Sequence, residues 1–216
     1  MRISCSKKLL LFHIPRTGVS SVISALDNNL FVRAPPTPVN KLCSKFLPSL
    51  PRSIEKTYLR THETAEHLRR LLRAPVFEDL TKIAFVRNPY SWLVSMYELV
   101  LQSPNHRHYR KIAAMRGFED YVDWEIRRNR RTQHGYICDR NGQLIIDRLG
   151  RFEHLEADAR RIFESLGVDI APLPCINRLT RGDYREFYDT SSRRKVASHW
   201  RRDLEIFNYD FEGPTE

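Results

Sequence analysis

Two stretches of the chain combine a cation with hydroxyl side chains, a combination suited to binding phosphate or sulfate. The first, residues 12–21, contains one cation, one glycine and three hydroxyls: Arg16, Gly18, Thr17, Ser20 and Ser21. The second, residues 85–97, contains Arg87, Ser91 and Ser95. Guanidinium groups and hydroxyls donate directed hydrogen bonds to oxyanions, and the first amides of a helix favour the same charge. Both stretches therefore predict anion binding.

The first stretch lies between a predicted strand and a predicted helix. Residues 9–14 form a short apolar run, which is typical of a parallel strand buried on both faces. After the loop, Val19, Val22, Ile23, Leu26 and Leu30 recur at helical spacing. No Gly-Lys pair occurs in the chain, so the GxxxxGK[ST] loop of ordinary kinases and ATPases is absent. Taken alone, the loop fits an anion cradle or a polar turn equally well.

The second stretch repeats this arrangement. Residues 81–87 form an apolar strand that ends in Arg87, followed by Asn88 as a helix N-cap and Pro89 at the first helical position. Open α/β sheets bind ligands at the carboxyl edge of their parallel strands. If both strands belong to one such sheet, the two stretches are expected to lie close together.

The rest of the pattern predicts the elements around this site. Residues 31–53 contain five prolines and are expected to form a surface excursion that covers the site, followed by a short strand at 56–60. The apolar positions Ala65, Leu68, Leu71 and Leu72 then predict a helix that ends before Pro75, and if Thr61 caps this helix, His62 occupies its first turn. Later elements are a helix at 117–129, a hairpin at 136–146, a helix ended by Gly167 and a closing helix through Val196, Trp200, Leu204 and Phe207. With no repeat and no linker, we expect one domain over residues 1–216.

Charge and cysteine content narrow the function classes. The net charge of +10 favours polyanionic partners, but no zinc-finger, RRM or KH signature accompanies it, so dedicated nucleic-acid binding is disfavoured. The arginines at 127–131 are interpreted as a solvated helix end that, near an acceptor cleft, would attract an anionic glycan. Four scattered cysteines indicate neither a zinc site nor a disulfide framework. No apolar run reaches the roughly 20 residues of a membrane span, and no signal-peptide core is evident, so we expect a cytoplasmic protein.

Several motifs resemble those of the sulfotransferases that use 3′-phosphoadenosine 5′-phosphosulfate (PAPS). Residues 13–18, HIPRTG, are similar to their HIPKT opening, and residues 85–97, FVRNPYSWLVSMY, closely resemble their VRxPYxxxVSxY signature. Residues 150–155, Asn177 and residues 203–209 resemble further landmarks of the carbohydrate-type and bacterial branch. The resemblance covers nearly the whole chain. It implies a three-layer, P-loop-like α/β fold with a central, mostly parallel sheet flanked by helices.

The resemblance also implies roles for individual residues. The loop residues Arg16, Thr17, Gly18, Val19, Ser20 and Ser21 would hold the 5′-phosphosulfate, and Arg87 and Ser95 would bind the 3′-phosphate. Two positions depart from the family pattern. Arg16 replaces the usual lysine, which is not a conservative exchange, and Val19 stands where glycine is frequent. If the loop needs a residue with positive φ, we expect Gly18 to supply it.

Sulfuryl transfer needs in-line positioning, charge stabilisation on the leaving phosphate and a base for the acceptor hydroxyl; cations suffice for the stabilisation, so no metal is expected. The resemblance favours His62 as the base, and the start of a helix would keep its ring neutral. Glu63 is the alternative base, while His67 and His13 are less favoured.

The predicted function is transfer of a sulfuryl group from PAPS to a hydroxyl of a sugar or glycolipid, which can be anionic, leaving PAP. The alternatives are a non-enzymatic basic module for nucleic acid or acidic glycan, or an atypical phosphotransferase.

Overall fold

The computed structural model describes residues 2–4, 7–26, 30, 32–33, 62–72, 74–174 and 182–215. Its contacts divide the chain into two compact units. Unit 1 consists of residues 1–86 and 133–174, and unit 2 of residues 87–132 and 175–216. The expectation of one domain over 1–216 concerns how these units combine, and it stays a prediction.

Unit 1 is built on a mixed sheet. In the described part of the chain its strands are β1 (Arg2–Ser4), β2 (Leu9–Leu11), β3 (Val32–Arg33), β4 (Thr81–Val86) and β5 (Arg148–Arg151), in the order β3-β1-β2-β4-β5. β2, β4 and β5 are parallel, with Leu11 opposite Ile83 and Val86 opposite Arg151. β1 pairs antiparallel with both β2 and β3. A small parallel sheet flanked by helices confirms the predicted α/β class.

The apolar runs explain the centre of this sheet. All three residues of β2 and the last five of β4 are buried, as expected for parallel strands covered on both faces. On one face, strand residues such as Leu9, Leu11 and Phe85 pack with Val22 of the first helix and Phe163 of a later one. The core of unit 1 therefore joins the sheet to the helix that follows the first predicted loop.

Along the sequence, helices lie between these strands and also follow the last strand. They are α1 (Val19–Ala25), α2 (Ala65–Leu72), α3 (Ala74–Glu78), α4 (Pro89–Leu101), α5 (Tyr109–Ala113), α6 (Phe118–Arg127), α7 (His134–Ile137), α8 (Leu155–Glu164), α9 (Thr190–His199) and α10 (Arg201–Phe207). Short 3-10 turns occupy Phe152–His154 and Tyr184–Phe187. No helix in the described ranges has the length and apolar character needed to cross a membrane.

Unit 2 packs its helices around an aromatic core. Trp92 of α4, Tyr121 of α6 and Trp200 between α9 and α10 are almost fully buried. The closing helix predicted from Val196 to Phe207 is divided at Trp200, which ends α9 and begins α10. The break lets Val196 and Trp200 join this cluster, while Phe207 is buried at the end of α10.

Two local expectations are wrong. The segment predicted as the first strand of a hairpin is instead helix α7, followed by a single bridge from Cys138 to Leu144. The turn between them is correct, because Asp139 accepts hydrogen bonds from the Asn141 and Gln143 amides. The helix predicted through Ala65 and Leu72 is confirmed as α2, but it begins only at Ala65, so His62 precedes it and does not lie in its first turn.

The arginine-rich end of α6 is not simply a solvated surface. Arg128 and Arg130 approach the buried carboxylate of Glu125 at 2.9 and 3.3 Å. Tyr121 donates a hydrogen bond to the same carboxylate at 2.7 Å. A buried carboxylate requires such partners, so these two arginines compensate the negative charge of Glu125.

Several expectations fall outside the described residues. They are the proline-rich excursion apart from residues 32–33, the strand at 56–60, the Thr61 cap and the Asn177 landmark.

Candidate active site

The loop after β2 turns through two residues with left-handed backbone conformations. Gly18 has φ of 80° and Arg16 has φ of 63°. Val19 is the first residue of α1, so Gly18 supplies the positive φ, as expected. Left-handed residues within such loops turn backbone amides toward one side, which forms an anion-binding nest. Arg16 adopts this conformation at a cost that glycine does not incur, and such strain is typical of functional loops.

Close packing also requires glycine at position 18. A Cβ atom there would lie 2.4 Å from Leu155 Cδ2 and 3.1 Å from Phe152 Cδ2. Both side chains belong to the landmark at residues 150–155. In the same landmark, Gly150 lies against Phe85, where a Cβ would approach the ring to 2.4 Å. The landmark therefore supports the loop by packing, a role that the sequence pattern did not reveal.

The loop hydroxyls differ in their surroundings. Thr17 is fully buried, and its hydroxyl donates to the Ile14 carbonyl oxygen at 2.9 Å. Its side chain therefore holds the loop together, and its contribution to an anion would come through the backbone amide. Ser20 is exposed on α1, whereas Ser21 is buried. The amides of Ser21 and Val22 already bond to the Gly18 carbonyl oxygen.

His62 lies beside this loop within unit 1. Its Nδ1 is 2.7 Å from the carbonyl oxygen of His13, and the two rings are 4.8 Å apart. Because a carbonyl oxygen only accepts, Nδ1 carries the proton in this hydrogen bond. In the neutral ring, the lone pair that can take a proton is therefore on Nε2. From the sequence, the start of a helix was expected to keep the His62 ring neutral. In the structure, the hydrogen bond to the His13 carbonyl oxygen sets the tautomer instead.

The neighbouring histidine is held neutral. Burial lowers the pKa of His13 to about 3, with smaller contributions from the chain N-terminus, His62 and Arg2. The two other candidates near His62 belong to the start of α2. Glu63 accepts a hydrogen bond from the Thr64 amide, and the amide of exposed His67 donates to the Thr64 hydroxyl. Thr64 thus caps the helix that begins at Ala65.

The second stretch lies in unit 2 and begins with a buried cation. The Arg87 side chain is only 7% exposed, and its Nε donates to the Ser91 hydroxyl at 2.8 Å. Ser91, one of the hydroxyls that suggested anion binding, thus helps to hold the guanidinium in place. Ser95 lies one turn further along α4 and is 1% exposed.

Asn88 fixes the start of α4. Its side chain accepts a hydrogen bond from the Tyr90 amide at 3.0 Å and donates to the Asp210 carbonyl oxygen at 2.8 Å. Pro89 occupies the first helical position, as predicted. The residue after Arg87 is therefore anchored from two directions, which limits the freedom of the Arg87 backbone.

The structure groups the predicted site residues in two sets. The loop residues 16–21 and His62 belong to unit 1, whereas Arg87 and Ser95 belong to unit 2. The strands that lead into the two stretches, β2 and β4, are parallel neighbours in the sheet of unit 1. Among the described residues, no group of three or more His, Cys, Asp or Glu side chains is arranged to hold a metal ion.

Comparison of the chain with profiles of known protein families identifies its family. A profile described as "Sulfotransferase family" matches residues 1–210. The chain belongs to the sulfotransferase family. Membership of this family supports sulfotransferase activity in general, and therefore a function as a transferase. No curated protein and no solved structure gives a significant match to the chain.

Proposed function

We propose that this sulfotransferase transfers the sulfuryl group of PAPS to an acceptor hydroxyl and leaves PAP. The observation that carries the proposal is the buried Arg87 guanidinium, held by Ser91 directly after the strand that pairs with β2. A guanidinium held in place at Nε can donate charge-assisted hydrogen bonds from its terminal nitrogens to phosphate oxygens. The 3′-phosphate of PAPS would accept them.

The donor would be held by residues from both stretches. The left-handed loop at residues 16–18 and the Arg16 guanidinium suit a phosphosulfate, because amides and a planar cation complement its oxygens. Arg87 and Ser95 would hold the 3′-phosphate. Together these groups would donate hydrogen bonds to the two anionic ends of the nucleotide. PAPS supplies an activated sulfuryl group, while Arg16 stabilises negative charge on the oxygen that leaves.

His62 would act as the base. With Nδ1–H bonded to the His13 carbonyl oxygen, its Nε2 can accept the proton of the attacking hydroxyl. Glu63 is the less favourable candidate, because it contributes its oxygen to the Thr64 amide. The acceptor is proposed to be a sugar or glycolipid, for which the net charge of +10 allows negative groups. A cytoplasmic location also stays a proposal, supported by the scattered cysteines.

Nucleotide binding tests the donor assignment. PAP should raise the melting temperature of the chain, and Arg87→Ala should remove most of this shift because the 3′-phosphate loses its buried cation. Ser91→Ala is the matched comparison, since it loosens the guanidinium without removing charge and should retain part of the shift. The absence of any stabilisation by millimolar PAP or PAPS would exclude the proposed donor.

Turnover tests the base. His62→Ala should lower the rate of sulfonate transfer by about 10²-fold or more, the range expected for a general base, while PAP binding stays nearly unchanged. Acceptors from a panel of sugars and glycolipids would be analysed by mass spectrometry for the added sulfonate. Glu63→Gln is the matched control. A normal rate in His62→Ala with a low rate in Glu63→Gln would assign the base to Glu63.

A further inference from the structure

Unit 2 contains a cleft that none of the proposed donor or base residues line. Its volume is about 610 Å³, within the range of small-molecule sites. It is bounded by the start of α9, the end of α10 and the chain that follows. The residues that define its chemistry are Arg193, Arg194, Tyr90, Phe211, Asp189 and Asp210.

The two arginines at the start of α9 are not neutralised. Within the part of the chain that the structure describes, no carboxylate lies within ion-pair distance of Arg193 or Arg194. The adjacent Lys195 differs, because it contacts Glu119 at 2.9 Å and Asp123 at 2.8 Å. Of the three consecutive cations at residues 193–195, Lys195 is held in ion pairs, whereas Arg193 and Arg194 line the cleft.

The carboxylates that line the cleft are occupied elsewhere. Asp189 caps α9 by accepting from the Ser192 amide and hydroxyl, which hold its pKa below the usual value. Asp210 accepts from the amides of Glu212 and Gly213. A third lining arginine, Arg185, is paired with Asp183 and Glu212. Asp189 and Asp210 keep their negative charge, but their hydrogen bonds go to the start of α9 and to the last turn, so no described carboxylate pairs with Arg193 or Arg194.

Aromatic rings orient one of these cations. The Arg193 guanidinium lies 4.0 Å from the centre of the Phe211 ring. Phe211 is in turn held edge-on by Tyr90 and Tyr188, with ring centres 5.0 and 5.6 Å away. Burial raises the pKa of Tyr90, against a smaller effect of Arg193, so its phenol stays protonated. A guanidinium stacked on a ring keeps its N–H edges available for an oxyanion.

We propose that this cleft binds a phosphate or sulfate ester carried on a flat organic group, at a site separate from the nucleotide site. The arginines bind the ester oxygens, and the aromatic wall contacts the organic group. Neither Arg87 nor the loop at residues 16–21 takes part, so the inference does not depend on the proposed donor.

Phenyl phosphate and phenyl sulfate are suitable probes, titrated into the full chain by calorimetry with and without saturating PAP. We expect one of them to bind in both conditions, and the tighter probe identifies the ester. Arg193→Gln should weaken binding about tenfold, as expected for loss of a charge-assisted hydrogen bond, and adding Arg194→Gln should weaken it further. Arg127→Gln, an exposed arginine elsewhere in unit 2, should change affinity less than about twofold.

Four results would overturn the proposal. Binding of neither probe would exclude the site. Displacement of the probe by PAP would place it in the nucleotide site, and an equal loss in Arg193→Gln and Arg127→Gln would show only a general effect of charge. Inorganic phosphate binding as tightly as phenyl phosphate would exclude the role of the aromatic wall.

Discussion

The two strand-to-helix junctions have similar chemistry but are held in place by different means. The junction after β2 leads into the seven-residue α1, which begins at Val19 and is preceded by Gly18, a residue without a side chain to cap it. The junction after β4 leads into the 13-residue α4, which has both an Asn88 cap and Pro89. The first depends on distant residues that pack against its glycine, whereas the second is stabilised mainly by its own sequence. A loop shaped by packing is the more sensitive of the two to a single added methyl group.

The largest expected effect is that of Gly18→Ala. The added Cβ would meet Leu155 at 2.4 Å, and the residue would keep a φ of 80°. Overpacking and left-handed strain together should lower the free energy of unfolding by about 3 kcal/mol. Urea denaturation measures this change, and PAP binding should be lost with the loop geometry.

Gly167→Ala is the matched control for this collision. Gly167 has φ of +64°, and a methyl group added there would meet no described atom within 4 Å beyond its chain neighbours. The strain alone should therefore cost only about 1 kcal/mol. Leu155→Ala in the Gly18→Ala background should recover part of the lost stability. If Gly18→Ala costs no more than Gly167→Ala, Leu155 moves aside and the first junction is less tightly packed than proposed.

Asn88→Ala tests the second junction and should have an intermediate effect. It removes the cap on α4 and the hydrogen bond to the Asp210 carbonyl oxygen. The expected loss in unfolding free energy is about 2 kcal/mol, from one cap and one buried hydrogen bond. Asn88→Ser keeps a capping oxygen and should lose about half as much. Equal losses in both variants would show that the Asp210 contact, not the cap, fixes this junction.

The smallest effect concerns the pH dependence of the first junction. His13 has a pKa of about 3 in the folded chain and about 6.5 when unfolded. Between these values the unfolded chain binds the extra proton, so this residue lowers stability progressively as the pH falls below 6.5. His13→Asn should therefore have a shallower loss of unfolding free energy between pH 7 and 5 than the unchanged chain, measured by urea denaturation. Parallel curves for the two proteins would show that His13 does not contribute.

These junctions also show what the sequence can predict. Strand, cation, cap and proline are adjacent at residues 81–89, so local rules predicted β4 and the start of α4 closely. Glycine at position 18 was likewise recognisable as the left-handed residue. The Leu155 contact was not predictable, because local patterns do not show which side chain from another part of the chain will meet a glycine.

The prediction that His62 lies in the first turn of a helix was wrong for a related reason. Both Thr61 and Thr64 are capable N-caps, and the sequence does not distinguish them; the structure begins α2 at Ala65 with Thr64 bonded to the His67 amide. The contact of His62 with the His13 carbonyl oxygen joins residues 49 positions apart. Periodicity also could not locate the break at Trp200, because both halves of that helix keep the same apolar spacing.

The pairing of β4 with β5 has a consequence for the order in which the chain can fold. The hydrogen bond from the Lys82 amide to Asp147 spans 65 positions, and residues 87–132 of unit 2 lie within that interval. During synthesis, β4 leaves the ribosome long before β5 is available, so the β4–β5 pair can form only after the intervening residues have been made. Closing this long loop costs entropy before the pairing is gained, which makes completion of the sheet a slow, late step.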